Sequence, residues 1–149
     1  MRMFFSSALW RVPTTEKKIF LTFDDGPIPD VTPWVLEVLK QYKAKATFFC
    51  IGDNIRKHPE IFKLLLADGH SLGNHTFNHL NGWKTNTEEY LNNINLCQNA
   101  FELASANFQP TSKLFRPPYG KMKIAQYQKI RKAYSVVTVS YTHLTLPTN

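Results

Sequence analysis

The chain contains few cysteines and no long apolar run, and each shortage excludes a class of protein. Its two cysteines, Cys50 and Cys97, are too few for a disulfide framework or for a cysteine-rich zinc site. Because both lie within apolar patterns, we predict that they are buried thiols. No stretch approaches the roughly 20 apolar residues of a membrane-spanning helix, so no transmembrane segment is expected.

Charge of one sign is nowhere concentrated, although the chain is basic overall. Lys and Arg number 18 against 11 Asp and Glu, a formal charge of +7, yet five like charges never follow one another. We interpret the excess as a solubility charge spread over helices, with attraction to an anionic wall polymer left open. No motif that reads nucleic acid is present, so no nucleic-acid partner is expected.

The two ends of the chain differ from its centre. Residues 1–13 contain an apolar stretch that is too short and too interrupted for the core of a signal peptide, so we interpret this segment as an N-terminal leader. Localisation stays open between the cytoplasm and the cell envelope, and the sequence does not indicate an oligomeric state. Residues 139–149 lack periodicity and resemble a translated sequencing adapter, so we predict a non-native tail and give His143 no role.

Residues 14–138 alternate strand and helix patterns, and a chain with 43% apolar residues can bury a real core. Thr32 and a Thr85–Glu88 capping box are the expected starts of two helices. Repeated strand–helix units imply parallel strands with helices packed outside, in either an open α/β sheet or a barrel. Strands are predicted at residues 17–24, 45–52, 70–74, 113–116 and 135–137, and helices at 32–42, 59–68, 85–104 and 122–134.

Two of the polar clusters that follow predicted strands could bind a metal. The first is TFDDGP at residues 22–27, where Asp24 and Asp25 could divide the tasks of holding a cation and moving a proton. The second contains His75 and His79, whose spacing could aim two imidazoles at one ion from a single helical turn. Taken singly, an Asx turn and an ordinary histidine pair remain alternatives.

The third cluster is RPPYG at residues 116–120. Its two prolines fix the backbone, and the rigid turn could present Arg116 and the Tyr119 N–H to a fixed point. An ordinary proline turn is the alternative. Taken together, the clusters provide two histidines and one carboxylate, a set that leaves coordination positions for water and substrate and suits zinc or another divalent transition metal.

TFDDGP, H-x3-H and RPPYG, in this order on strand–helix units, resemble the polysaccharide deacetylase family, also called the NodB-homology domain or carbohydrate esterase family 4. The resemblance covers about residues 14–138, and the chain is similar to bacterial peptidoglycan N-acetylglucosamine deacetylases. It implies that Asp24 is the general base, that Arg116 orients Asp24, and that the Tyr119 N–H binds the oxyanion, with Pro118 and Tyr119 contacting substrate. It also implies that Asp25, His75 and His79 hold a divalent metal, with Zn²⁺ favoured over other divalent transition metals.

The resemblance further implies an α/β fold, a distorted (β/α) barrel of seven or eight strands, of which about five are present. The implied activity is metal-dependent removal of the acetyl group from N-acetylglucosamine units of a glycan, with peptidoglycan favoured and chitin-type oligomers open. Family members carry a later Asp-Trp motif and a Leu-His motif that supplies the general acid. Neither is found here, so no general acid is assigned and the chain as printed is expected to be inactive. A non-catalytic sugar- or metal-binding domain, or a deacylase of another amide, is the alternative.

Overall fold

The computed structural model describes residues 8–9, 14–105 and 113–138 of the chain. Within these residues, strands and helices alternate as the sequence predicts. The strands are β1 (Leu21–Asp24), β2 (Ala46–Cys50), β3 (Ser71–Asn74), β4 (Leu114–Phe115) and β5 (Ser135–Val136). The helices are α1 (Val31–Gln41), α2 (Gly52–Lys57), α3 (Pro59–Ala67), α4 (Thr87–Ala104) and α5 (Ile124–Ile130), with a 3-10 turn at Pro118–Gly120.

The five strands form one parallel sheet in the order β1-β2-β3-β4-β5. Among the described residues this sheet does not close, so it forms an open part of a barrel. Leu9 pairs in parallel with Val137 beside β5, and the Leu9 N–H donates to the Val136 carbonyl at 2.7 Å. Part of the segment interpreted as a leader therefore contacts the sheet.

The core consists of two apolar clusters on which the helices pack, and α4 contributes to both. Its Cys97 and Phe101 lie in the larger cluster with α1, α2, α3 and β2, whereas Tyr90 and Ile94 lie in the smaller one with β4, β5 and α5. One face of α4 is therefore buried, and it carries Tyr90, Ile94, Cys97 and Phe101. The prediction for the cysteines is confirmed, because Cys50 and Cys97 are both buried free thiols.

Several element boundaries differ from the predictions for local reasons. β1 begins at Leu21 rather than residue 17, and Ile19 is 88% exposed, because no described strand pairs with this end of the chain. Thr32 is not the cap of α1: it is buried in the first turn, where its Oγ1 accepts the Ile28 N–H. The cap of α4 is Asn86, one residue after the predicted cap Thr85, and its side chain accepts the Glu89 N–H.

The short helix α2 was not predicted, because GDNIRK lacks a clear apolar period. Its first residue is a glycine for reasons of space. A Cβ on Gly52 would lie 2.5 Å from the Phe77 ring and 2.8 Å from Cys97 Cα, so only glycine lets α2 approach α4 and the turn after β3 this closely.

No helix in the described part of the chain is long and apolar enough to cross a membrane. The predicted tail at residues 139–149, with His143, lies outside the described residues.

Candidate metal centre

The three polar clusters meet at one edge of the sheet. β1 ends at Asp24, His75 directly follows β3, and Arg116 directly follows β4. Because the strands are parallel, their carboxyl ends lie at the same edge, where open α/β sheets and (β/α) barrels place their functional groups. Residues far apart in sequence therefore share one site.

Asp25, His75 and His79 converge on a common point. One ligand atom from each lies within 4.8 Å of the others, and Asp25 Oδ1 is 3.5 Å from His75 Nε2 and 3.2 Å from His79 Nε2. His75 is buried and Asp25 is exposed, so the point faces solvent on one side only. Two imidazole nitrogens and one carboxylate oxygen in this arrangement can bind a divalent cation and leave positions for water and substrate.

The two histidines do not share a helical turn, so that part of the sequence prediction is wrong. His75 follows a strand end, and a turn with left-handed backbone at Thr76 (φ 64°) and His79 (φ 55°) returns the second imidazole to the first. The ring centroids are 5.1 Å apart. Such conformations at residues other than glycine cost about 1–3 kcal/mol each, so the surrounding structure must hold the turn.

The tautomer of His75 is set by the backbone. Its Nδ1 lies 2.7 Å from the Arg116 carbonyl oxygen, which can only accept a hydrogen bond, so Nδ1 carries the proton and Nε2 has a free lone pair towards Asp25. Burial lowers the pKa of His75 below its ordinary value, although the nearby Asp24 carboxylate opposes this shift. A neutral imidazole with Nε2 unprotonated is the form that binds a metal.

Tyr119 lies against the second histidine. Its hydroxyl is 3.2 Å from His79 Nδ1, and the two ring centroids are 4.5 Å apart. Tyr119 also has a left-handed backbone (φ 59°), which follows the turn that Pro117 and Pro118 begin. The RPPYG turn thus places the Tyr119 ring beside His79.

Asp24 has a different set of partners from Asp25. Its Oδ1 accepts a hydrogen bond of 2.6 Å from Arg116 Nη1, and the same nitrogen donates to Thr22 Oγ1 at 3.0 Å. Arg116 is only 5% exposed and its guanidinium lies 4.0 Å from the centre of the Phe49 ring, so its position is fixed by packing. The buried Arg116 Nε donates to no described residue, which leaves one donor for a further acceptor.

Three asparagines whose side chains bond the backbone around the site were not predicted from the sequence. Asn54 Nδ2 donates to the Asp25 carbonyl at 2.7 Å, and Asn74 Oδ1 accepts the Thr76 N–H at 2.9 Å. The third, Asn93, holds the turn before His79. Asn93 could have been found, because it is a polar residue among the apolar positions of α4, whereas the other two resemble ordinary loop and strand-end asparagines.

An open parallel sheet with two histidines and two carboxylates at its carboxyl edge defines a class of α/β proteins that can bind a divalent metal. The family profile described as polysaccharide deacetylase matches residues 11–139. The chain belongs to this polysaccharide deacetylase family.

Individual relatives agree with this family. A peptidoglycan-N-acetylglucosamine deacetylase of Bacillus cereus is 42% identical over 133 residues, 89% of this chain and 61% of the relative. A chitooligosaccharide deacetylase of Azorhizobium caulinodans is 40% identical over 111 residues, 74% of this chain and 51% of the relative. The chain thus spans about half to three fifths of these two proteins.

Solved structures show the same fold. The crystal structure of the Bc1960 peptidoglycan N-acetylglucosamine deacetylase, in complex with 4-naphthalen-1-yl-N-oxidanyl-benzamide, matches with a TM-score of 0.77 and 36% identity. The match covers 84% of this chain and 57% of that one. The open five-stranded sheet therefore corresponds to part of the barrel of these deacetylases.

Members of this family depend on a divalent metal, and the donors found here fit one. Two observations support this fit. The donor set offers imidazole nitrogens and a carboxylate oxygen, and the Arg116 carbonyl fixes the His75 tautomer that leaves the Nε2 lone pair free.

Proposed function

We propose that the protein to which this chain belongs hydrolyses the N-acetyl group of N-acetylglucosamine units in a glycan, with peptidoglycan favoured and chitin-type oligomers as the second substrate. The observation that carries the proposal is the division of labour between adjacent carboxylates. Asp25 faces the two histidines, whereas Asp24 is hydrogen-bonded to the buried Arg116 at the same edge of the sheet. A metal-dependent hydrolytic site can use one group to hold the metal and a separate group to accept the proton of water.

Asp25, His75 and His79 would hold a divalent metal, with Zn²⁺ favoured by a ligand set of two nitrogens and one oxygen. When bound, such an ion polarises the acetamide carbonyl and lowers the pKa of a coordinated water. The protein's own contribution is to keep His75 in the Nδ1–H tautomer and to leave one side of the site exposed for the glycan.

Asp24 would act as the general base that takes a proton from the attacking water. Arg116 supports this role, because a charge-assisted hydrogen bond from a buried, packed guanidinium keeps one carboxylate oxygen in a fixed orientation. The other oxygen of Asp24 is then available for the water proton. The general acid for the leaving amine is assigned to no described residue.

Pro118 and Tyr119 would contact the substrate, and the Tyr119 N–H would stabilise the oxyanion. The support is the position of the turn that contains them, because its Tyr119 hydroxyl lies 3.2 Å from His79 Nδ1. The exposed Tyr119 ring, 57% accessible, offers an apolar face to a sugar.

A hybrid enzyme tests the proposal. Residues 14–138 would replace the matching part of the Bacillus cereus deacetylase, and acetate release from peptidoglycan and from chitin oligomers would be measured with added Zn²⁺. We expect release that depends on Asp24, with the Asp24→Asn hybrid as the inactive control. A folded hybrid that binds metal and glycan but releases no acetate would instead favour a non-catalytic binding domain, and release from another amide alone would favour a different deacylase.

A further inference from the structure

Asn93 lies in the middle of α4, and all of its side-chain hydrogen bonds reach a single turn. Its Oδ1 accepts the Phe77 N–H at 2.8 Å and the Asn78 N–H at 2.9 Å, and its Nδ2 donates to Asn78 Oδ1 at 2.8 Å. The residue is 7% exposed. A buried amide that makes three hydrogen bonds to two consecutive residues is a clamp on the local backbone.

The clamped residues are the two that separate left-handed Thr76 from left-handed His79. Without the Asn93 side chain, the Asn78 N–H would lose its acceptor, and the Phe77 N–H would keep only its 3.2 Å hydrogen bond to the Asn93 main-chain carbonyl. Each buried unsatisfied group costs about 1–3 kcal/mol. Asn93 therefore stabilises this strained turn in the conformation that returns His79 towards Asp25.

The first histidine of the centre is held by other groups. His75 is fixed by the bond of its Nδ1 to the Arg116 carbonyl and by its own N–H, which donates to the Cys50 carbonyl at 3.0 Å. Asn93 makes no side-chain hydrogen bond to His75. Its influence is thus directed at one ligand, His79.

We propose that Asn93 is a positioning residue of the metal centre, which acts through the backbone of Phe77 and Asn78 to place His79. The proposal rests on the metal-binding role proposed for His79. It adds a residue on a distant helix, outside the three sequence motifs, whose side-chain oxygen sets the affinity for the divalent ion.

The test measures Zn²⁺ affinity of the 149-residue chain by competition with a chelator. Asn93→Ala is expected to weaken Zn²⁺ binding about 10- to 100-fold, the usual effect of losing a group that orients a metal ligand. Asn92→Ala is the matched control, because Asn92 is the neighbouring asparagine of the same helix but is exposed. It should bind Zn²⁺ as the unmodified chain does.

Two further variants separate positioning from folding. Asn93→Asp keeps the oxygen that accepts both N–H groups and loses the Nδ2 donor to Asn78 Oδ1, which the Asn78 amide replaces by turning its NH₂ towards the carboxylate. Its Zn²⁺ affinity should therefore stay within about threefold of the unmodified chain. Asn93→Gln keeps a buried amide but moves that oxygen by one methylene, so it should bind Zn²⁺ more weakly while the metal-free circular dichroism spectrum is unchanged. Asn93→Gln decides the question if Asn93→Ala does not fold.

The possible failures are distinguishable. If the unmodified chain and its His79→Ala variant bind Zn²⁺ equally, the metal assignment itself is wrong. If His79→Ala loses binding but Asn93→Ala and Asn93→Gln keep it, only the role of Asn93 is wrong. If Asn93→Asp loses as much affinity as Asn93→Gln, the shared acceptor oxygen is not the group that matters, and the proposal is overturned.

Discussion

At the scale of single residues, Asp24 and Asp25 are neighbours in sequence with separate surroundings. The left-handed backbone of Asp25 (φ 69°) turns its side chain towards the histidines, while Asp24 remains in the strand and pairs with Arg116. Two carboxylates at one strand end can therefore perform two tasks, because the backbone between them changes direction.

This separation predicts different effects on metal affinity for two isosteric substitutions. Asp24→Asn should lower acetate release by the hybrid enzyme about 10²–10⁴-fold, as loss of a general base does, and leave its Zn²⁺ affinity intact. Asp25→Asn should lower both, because it removes a metal ligand. Metal content and turnover, measured on the same preparations, check the prediction. Turnover of Asp24→Asn at the unmodified rate would show that Asp24 is not the base.

His70 gives a pH dependence to folding. Its ring is buried, Nδ1 accepts the Ala46 N–H at 3.2 Å, and burial, followed by the Lys45 charge, lowers the pKa of His70 below its ordinary value. Between the lowered pKa of His70 in the folded chain and about pH 6.5, the unfolded chain therefore binds more protons than the folded chain. Stability from neutral His70 is fully present above this pH and is lost as pH falls from the unfolded pKa towards the lower, folded one.

We expect the urea midpoint of the chain to fall between about pH 7.5 and pH 5.5, and to fall less in His70→Gln, which has no titrating ring. His75 shifts in the same direction and is present in both proteins, so the difference between the two slopes isolates His70. If the urea midpoints of the two proteins fell equally with pH, His70 would take up its proton equally in the folded and the unfolded chain.

At the scale of elements, the position of α2 links the fold to the metal centre. The N–H groups of Gly52 and Asp53 each donate at 3.0 Å to the carbonyls of Thr76 and Phe77. The turn that carries His79 is thus held from two sides. The carbonyls of the turn accept hydrogen bonds from the start of α2, and the N–H groups of the turn donate to Asn93 of α4.

Gly52→Ala should disturb this arrangement. The added Cβ would meet the Phe77 ring at 2.5 Å and the backbone of Cys97 at 2.8 Å, so we expect a loss of about 1–3 kcal/mol in unfolding free energy and weaker Zn²⁺ binding. Arg56→Ala, which removes an exposed ion pair with Asp53 on the same helix, should cost only about 0–1 kcal/mol. Urea unfolding and metal titration compare the two, and equal stability of both variants would contradict the close packing.

The sequence predicted the alternation of elements, because apolar periods survive in β2, α3 and the long face of α4. It also predicted which motif residues would meet, since chemistry-bearing residues follow strand ends. The sequence did not predict α2, because the start of this helix is determined by its contact with Phe77 and Cys97. Nor did it predict the left-handed turn at residues 76–79, which is stabilised by hydrogen bonds to α4. Both depend on tertiary contacts that no local pattern contains.

At the scale of the whole molecule, one side of the sheet carries exposed apolar residues. Ile19 is 88% exposed, Phe20 57% and Leu21 40%, and they lie just before and at the start of β1, which is an edge strand that pairs only with β2 among the described residues. Unpaired strand edges with apolar side chains favour association between chains.

We therefore expect the 149-residue chain to associate as its concentration rises, and Ile19→Lys to reduce that association without lowering the unfolding midpoint, because Ile19 contributes little to the core. Sedimentation velocity over a range of concentrations measures this. Thr14→Lys is a control that adds the same charge at an exposed polar position. If both lysine variants reduce association equally, net charge rather than the β1 edge is responsible.

The central claim is that Asp25, His75 and His79 form one metal centre, and a crystal structure of the zinc-loaded chain with anomalous diffraction at the zinc edge tests it most directly. The account predicts a single strong peak about 2.0–2.2 Å from Asp25 Oδ1, His75 Nε2 and His79 Nε2, with Asp24 bonded to Arg116 and off the metal. Zinc bound elsewhere, or the three side chains directed to separate faces of the fold, would contradict the account.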